Sequence, residues 1–181
     1  MPGTEYGWDS MNKKEVKLYN ILLPIWMLIF WPSWLWLFLI PANYLIDRLV
    51  LRWSLGDMPE SGAFCRKHTW KICIAGFFGD LCGALVLFSV FVIATLAGDG
   101  MQTAPLLDKI EQGVASDPFN SIAAFLMVAV SVAVAGLVIF LLDRKILAHA
   151  GLASDQAGKS ALWIAVITAP YLYFVPSRLL Y

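Results

Sequence analysis

Asp80 is the single carboxylate in an apolar run of membrane length, KICIAGFFGDLCGALVLFSVFVIATLAG, over residues 71–98. About 20 apolar residues cross a bilayer as a helix, and an acid near the middle of such a span costs about 2.5–3.5 kcal/mol on insertion scales, so its presence marks a site. At helical spacing Cys73, Gly76, Asp80, Gly83 and Leu87 share one face, with Gly79 beside it. Glycines admit a neighbouring helix closely, so Asp80 is expected to face protein rather than lipid. In that setting a carboxyl group can take up and release a proton or coordinate a cation. Its simpler role is a structural acid hydrogen-bonded to the next helix.

A second polar patch, IPANYLIDR, contains Asn43, Tyr44 and Asp47. Asn43 and Asp47 are four apart and share a helical face. Asp47 can pair with Arg48 or Arg52 near a membrane boundary, or it can face Asp80 and build an intramembrane polar site of two acids and an amide. Two aspartates in a membrane also raise an aspartyl dyad, in which neighbouring carboxyls share a proton. GFFGD departs from the G-x-G-D of intramembrane aspartyl proteases, and the D-G-x-x-A-R core of alcohol phosphotransferases is absent.

Other chemistry finds little support. His68 and His149, the two histidines, fall in segments read as loops, so a bis-histidine haem between helices lacks ligands. Cys65 and His68 form one C-x-x-H without a second pair, too few ligands for zinc. Gly158-Lys159-Ser160 matches only the end of a phosphate loop and follows no strand. Three cysteines, Cys65, Cys73 and Cys82, without C-x-x-C give neither a disulfide framework nor a redox pair; they read as small apolar fillers. No cofactor or metal is expected, and the residues weigh against an enzyme.

The elements that must position Asp80 follow from composition. The chain has 181 residues, 60% of them hydrophobic and 14% charged, with zero formal net charge. Apolar runs longer than a soluble core helix needs place it in the membrane class, with no room for a soluble domain. The basic residues cluster between the runs, a pattern that reports orientation rather than nucleic-acid binding.

Residues 1–17 read as a cytoplasmic segment ending in Lys13, Lys14 and Lys17, with Met11 an alternative start; no signal peptide is read there. Residues 18–181 form one membrane domain. The apolar stretch 18–51 would be about 50 Å long as one helix, too long for a hydrocarbon core of about 30 Å. It should break at Trp31-Pro32-Ser33, because the residue before proline leaves helical geometry, giving a hairpin over about 18–53 with its tip outward. The first arm is short enough to be re-entrant, and Trp26, Trp31, Trp34, Trp36 and Trp53 read as interfacial anchors.

Residues 54–70 read as a polar inner connector. Three spans follow, at about 71–98, 119–142 and 160–180. Between the first two, Pro105 opens a short amphipathic helix with Leu106, Leu107, Ile110 and Val114 on one side. In the second span Ala129, Ala133 and Gly136 make a small-residue stripe expected to pack on Gly76, Gly79 and Gly83. Pro170 and Pro176 interrupt the third span and free backbone carbonyls there.

The expected fold is therefore all-α, a polytopic membrane bundle with a broken N-terminal hairpin and three spans, N-terminus inside and C-terminus outside a bacterial inner membrane. Every Lys and Arg except Lys109 and Arg178 then lies inside or at the inner boundary. Two functions fit. One is transport or conduction of a proton, ion or small solute through an oligomeric bundle centred on Asp80, with Asp47 and Asn43 as secondary groups. The other is a non-enzymatic subunit or scaffold docked on a larger membrane partner. Lipid and a second copy or larger protein are the expected partners, and nucleic acid is not.

Overall fold

A computed structural model describes residues 25–30, 34, 36–56, 58–98 and 104–179. The basic cluster Lys13, Lys14 and Lys17, most of the first arm and the expected break at Trp31-Pro32-Ser33 lie outside the described residues. Five α-helices run α1 Trp36–Leu55, α2 Ser61–Gly98, α3 Ala104–Ala115, α4 Ile122–His149 and α5 Ser154–Thr168, with 3-10 turns at Ile25–Ile29, Pro118–Asn120, Tyr171–Phe174 and Ser177–Leu179. No strand occurs among the described residues.

Two helices, α2 and α4, are long and apolar enough to cross a membrane. Only 28% of the most apolar stretch of each is buried within the protein, so neither resembles a soluble core helix. Large apolar side chains cover much of the outer surface, and several polar ones are buried in the core. Leu37, Phe38 and Leu49 of α1, Leu96 of α2 and Ile122 of α4 are exposed, while Asp47, Thr69, Ser131, Asp143 and Ser160 are buried. A soluble protein rarely exposes so continuous an apolar surface.

Several boundaries differ from the sequence expectation. The connector is short: the chain turns between Leu55 and Ser61, with Gly56 (φ 56°) and Glu60 (φ 63°) in left-handed geometry. Beyond this turn the polar residues 61–70 are helical, because Pro59 is the last breaker and a charged sequence can extend a helix into water. At 38 residues, α2 is about 57 Å long. His68 and His149 accordingly lie on helices rather than in loops.

The last span is not one helix. α5 has 15 residues, about 22 Å, and stops at Thr168. Ala169, before Pro170, adopts φ −54° and ψ 149°, the extended geometry that a following proline imposes. The chain continues through 3-10 turns until the Ser177 N–H donates to the Ser116 carbonyl at 2.8 Å. A short helix and a 3-10 segment thus cover the distance from the α4–α5 turn to the end of α3.

Trp26 is not an interfacial anchor. It is 2% exposed, and its indole Nε1–H donates to the Val114 carbonyl of α3 at 3.0 Å. The amphipathic segment around Pro105 forms α3, which turns Val114 into a cluster with Trp26, Leu87, Val128 and Tyr173. A second apolar cluster, including Leu51, Leu55, Ile72, Leu147 and Ile164, joins α1, α2, α4 and α5 at the other end.

α2 and α4 pack antiparallel along a tight seam. A methyl group on Gly79 would overlap Ile139 and lie 3.0 Å from the Ala135 carbonyl oxygen. One on Gly83 would lie 3.0 Å from Ala135 Cβ and 3.1 Å from the Ser131 carbonyl oxygen. The Ser131 hydroxyl donates to the Gly83 carbonyl at 2.7 Å. The expected partner stripe is therefore displaced round α4: Ser131, Ala135 and Ile139 meet the glycines, whereas Ala133 is exposed, Ala129 is half-buried and Gly136 lies toward Ala165 and Ala169. Gly76 has nothing within 4 Å of an added Cβ. Small size alone selected the wrong face; the buried line is Ala124, Val128, Ser131, Ala135, Ile139, Asp143 and Leu147.

Candidate functional site

That buried line of α4 ends its apolar part at Asp143, which occupies a core position because it follows Ile139 by four residues and precedes Leu147 by four. Asp143 is fully buried, and neither carboxyl oxygen has a hydrogen-bond partner among the described residues. The register set by Gly79 and Gly83 against Ser131, Ala135 and Ile139 puts Asp143 level with Cys73 of α2.

Asp47 reaches the same region from α1. It is 3% exposed, and its carboxylate accepts a hydrogen bond from the Cys73 thiol. Its charge reaches Asp80 and, separately, Asp143, so one acid of α1 lies within electrostatic range of an acid on α2 and of another on α4. The basic neighbours on α1 do not relieve it. Arg48 and Arg52 act on Cys65, and no ion pair joins either to Asp47 among the described residues.

Asp80 is two turns further along α2 than Cys73. Its side chain is half-buried, with Oδ1 inaccessible and unpartnered among the described residues. Its backbone carbonyl accepts a 2.7 Å hydrogen bond from the Tyr173 hydroxyl, which brings the 3-10 segment after Pro170 onto the site. Asn43 lies one turn from Asp47 on the same face of α1; it is half-buried and makes no side-chain hydrogen bond among the described residues.

The structure thus joins Asp47 and Asp80 electrostatically and leaves Asn43 beside them. It adds Asp143, Cys73 and Tyr173. Asp143 has a readable signal in the i, i+4 line with Ile139 and Leu147, but the adjoining Arg144 and Lys145 make it look like the charged end of a span. Cys73 shares the Asp80 face in the sequence pattern but has the look of an apolar filler there, whereas in the structure its S–H is a donor to a buried acid. Among the described residues no three His, Cys, Asp or Glu are close enough to hold a metal ion.

Buried acids without a basic partner need compensation from a proton or a cation when another acid lies within electrostatic range. Asp143 and Asp47 sit among core residues, while Asp80 is half-buried. Hydroxyl, thiol and carboxyl groups of this kind can pass a proton between helices. No model of a protein family matches the chain, and no characterised protein and no solved structure matches it either.

Proposed function

We propose that the chain is a small multi-pass membrane protein that carries protons through a path built on Asp80, Asp47 and Asp143. The observation that supports this reading is the fully buried Asp143 carboxyl, with two unpartnered oxygens among the described residues, within electrostatic reach of Asp47 and without an ion pair. Proton exchange suits these groups better than divalent-metal binding, which needs a convergent oxygen cage. In the membrane α2 runs outward and α4 inward, Arg66, Lys67, Lys71, Arg144 and Lys145 lie on the inner side, and the C-terminus emerges outside. The N-terminus then lies inside, in a bacterial inner membrane. Asn43 serves as a polar neighbour to Asp47.

The test is proton flux in liposomes loaded with a pH-sensitive dye, driven by a potassium diffusion potential. Wild-type protein should collapse the gradient faster than empty vesicles, and Asp143→Asn and Asp80→Asn should each slow it. Flux equal to that of empty vesicles, or unchanged in Asp143→Asn, overturns the proposal.

A second reading is favoured by one observation. A groove of about 360 Å³ between α4 and α5 is lined by Ala133, Gly136, Ala165 and Ala169 among larger apolar residues. Small residues facing outward suit the approach of another helix, from a second copy or a larger membrane partner. Native mass spectrometry of protein extracted from its own membrane separates these cases: a fixed-ratio second polypeptide supports a subunit role, and a homo-oligomer supports a multi-copy path.

A further inference from the structure

Next to the level of Asp143, a groove of about 240 Å³ between α2 and α4 is lined by His68, Lys71, Lys145, Ile146, His149 and Ala150. The antiparallel register puts Lys71 level with Lys145, and His68 close to the level of His149, so each helix contributes one ammonium group and one imidazole. We infer that this groove binds the phosphate headgroup of an anionic phospholipid from the inner leaflet. The inference rests on the membrane placement of α2 and α4 but not on proton transport.

Charge supports it first. Neither Lys71 nor Lys145 has an ion pair among the described residues, whereas Lys159 is paired with Asp155 at 2.7 Å. The buried acid nearest in sequence, Asp143, turns into the bundle with Leu147 and away from the groove face of Lys145, Ile146 and His149. Lys145 and His149 also complement the negative end of the α4 dipole. Lys71, inside α2 and far from either end, has no such role, and it completes the cationic pair.

The two imidazoles shape the groove. His149 Nδ1 lies 2.8 Å from the Lys145 carbonyl oxygen. A carbonyl only accepts, so Nδ1 carries the hydrogen and Nε2 presents a lone pair, which leaves the donation to phosphate to the two lysines. His68 is 8% exposed, stacks at 4.6 Å on Phe64, and holds Nδ1 buried without a partner among the described residues. The ring lining the groove is thus fixed by packing rather than by a competing hydrogen bond.

Depth chooses the lipid over a soluble anion. The groove sits where the apolar stretch of α2 begins at Ile72, and half-exposed Trp70 lies at its lip with Lys71 Nζ 5.7 Å from the ring centre. Tryptophan prefers the headgroup level. A basic pocket between helices on the inner side has the chemistry that holds anionic headgroups, and Ile146 offers an apolar wall to the start of the acyl chains.

The experiment is native mass spectrometry of the full-length protein released from nanodiscs of phosphatidylcholine doped with phosphatidylglycerol. Wild-type protein should retain phosphatidylglycerol in preference to phosphatidylcholine. Lys71→Gln/Lys145→Gln should weaken retention roughly 30-fold, while Lys71→Arg/Lys145→Arg and Lys159→Gln keep it. Far-UV circular dichroism confirms that each variant is folded; if the glutamine pair does not fold, Lys71→Gln alone should weaken retention about fivefold. Equal retention of the two lipids, retention unchanged in the folded glutamine variants, or displacement by millimolar inorganic phosphate overturns the inference, the last by assigning the groove to a soluble anion. Because retention is read without any flux, failure of the proton path leaves this result standing, and the reverse.

Discussion

The Cys73 thiol donates a hydrogen bond to the buried Asp47 carboxylate, tying α2 to α1 at the level where Asp143 enters from α4. A residue that reads as apolar filler is thus the only hydrogen-bond donor to this acid among the described residues. Cys73→Ser keeps a donor and should preserve folding and flux. Cys73→Ala leaves Asp47 unsatisfied and should destabilise the protein by about 1–3 kcal/mol, measured by thermal unfolding in detergent against the serine variant.

Asp143 separates stability from function. Replacing an unpartnered buried carboxyl with an apolar group of similar size is often neutral or stabilising. Asp143→Leu should therefore unfold no more readily than wild type while losing proton flux by about tenfold or more. A leucine variant that unfolds readily would reveal a structural acid instead.

Exposure ranks the acids by reactivity. Asp80 is half-buried whereas Asp143 is fully enclosed, so a membrane-soluble carbodiimide should label Asp80 first. Peptide mass spectrometry locates the adduct. Labelling confined to Asp143 would mean that the site opens from a different side.

The glycine seam makes a paired prediction. Gly83→Leu would drive a side chain into Ala135 and the Ser131 carbonyl and strain the Ser131–Gly83 hydrogen bond, an overpacking cost of about 1–3 kcal/mol. Gly76→Leu on the same helix meets open space and should leave unfolding unchanged. Equal effects from both would place the α2–α4 contact elsewhere.

Tyr173→Phe removes the bond to the Asp80 carbonyl without changing ring size. Stability should fall by about 0.5–1.5 kcal/mol. Amide exchange in the 3-10 segment Tyr171–Phe174 should rise if that bond holds the segment on α2; unchanged exchange would show that Trp26, Leu87 and Val128 hold it instead.

The parts legible in the sequence are those set by one dominant signal. The apolar lengths that became α2 and α4 and the isolated carboxylate Asp80 needed no tertiary information. Gly79 and Gly83 were readable as a close-approach surface, but their partner was not, because α4 has small residues on two faces and only the register selects Ser131 and Ala135. Asp143 was hidden by Arg144 and Lys145, whose charges look like a boundary although the helix continues to His149. The end of α5 was hidden in the opposite way: residues 160–180 are apolar throughout, yet Pro170 removes a donor and alters the geometry of Ala169.

Both ends of the described chain are tied to the close of α3. Trp26 donates to Val114, and Ser177 donates through its backbone to Ser116 and through its hydroxyl to Ala115 at 3.2 Å. During synthesis the turn at Ile25–Ile29 emerges early, but its acceptor is 88 residues away and follows the whole of α2. The indole N–H of Trp26 therefore has to wait for that acceptor until α3 is made. α3 is the latch of a bundle whose first described turn and last 3-10 turn close upon it.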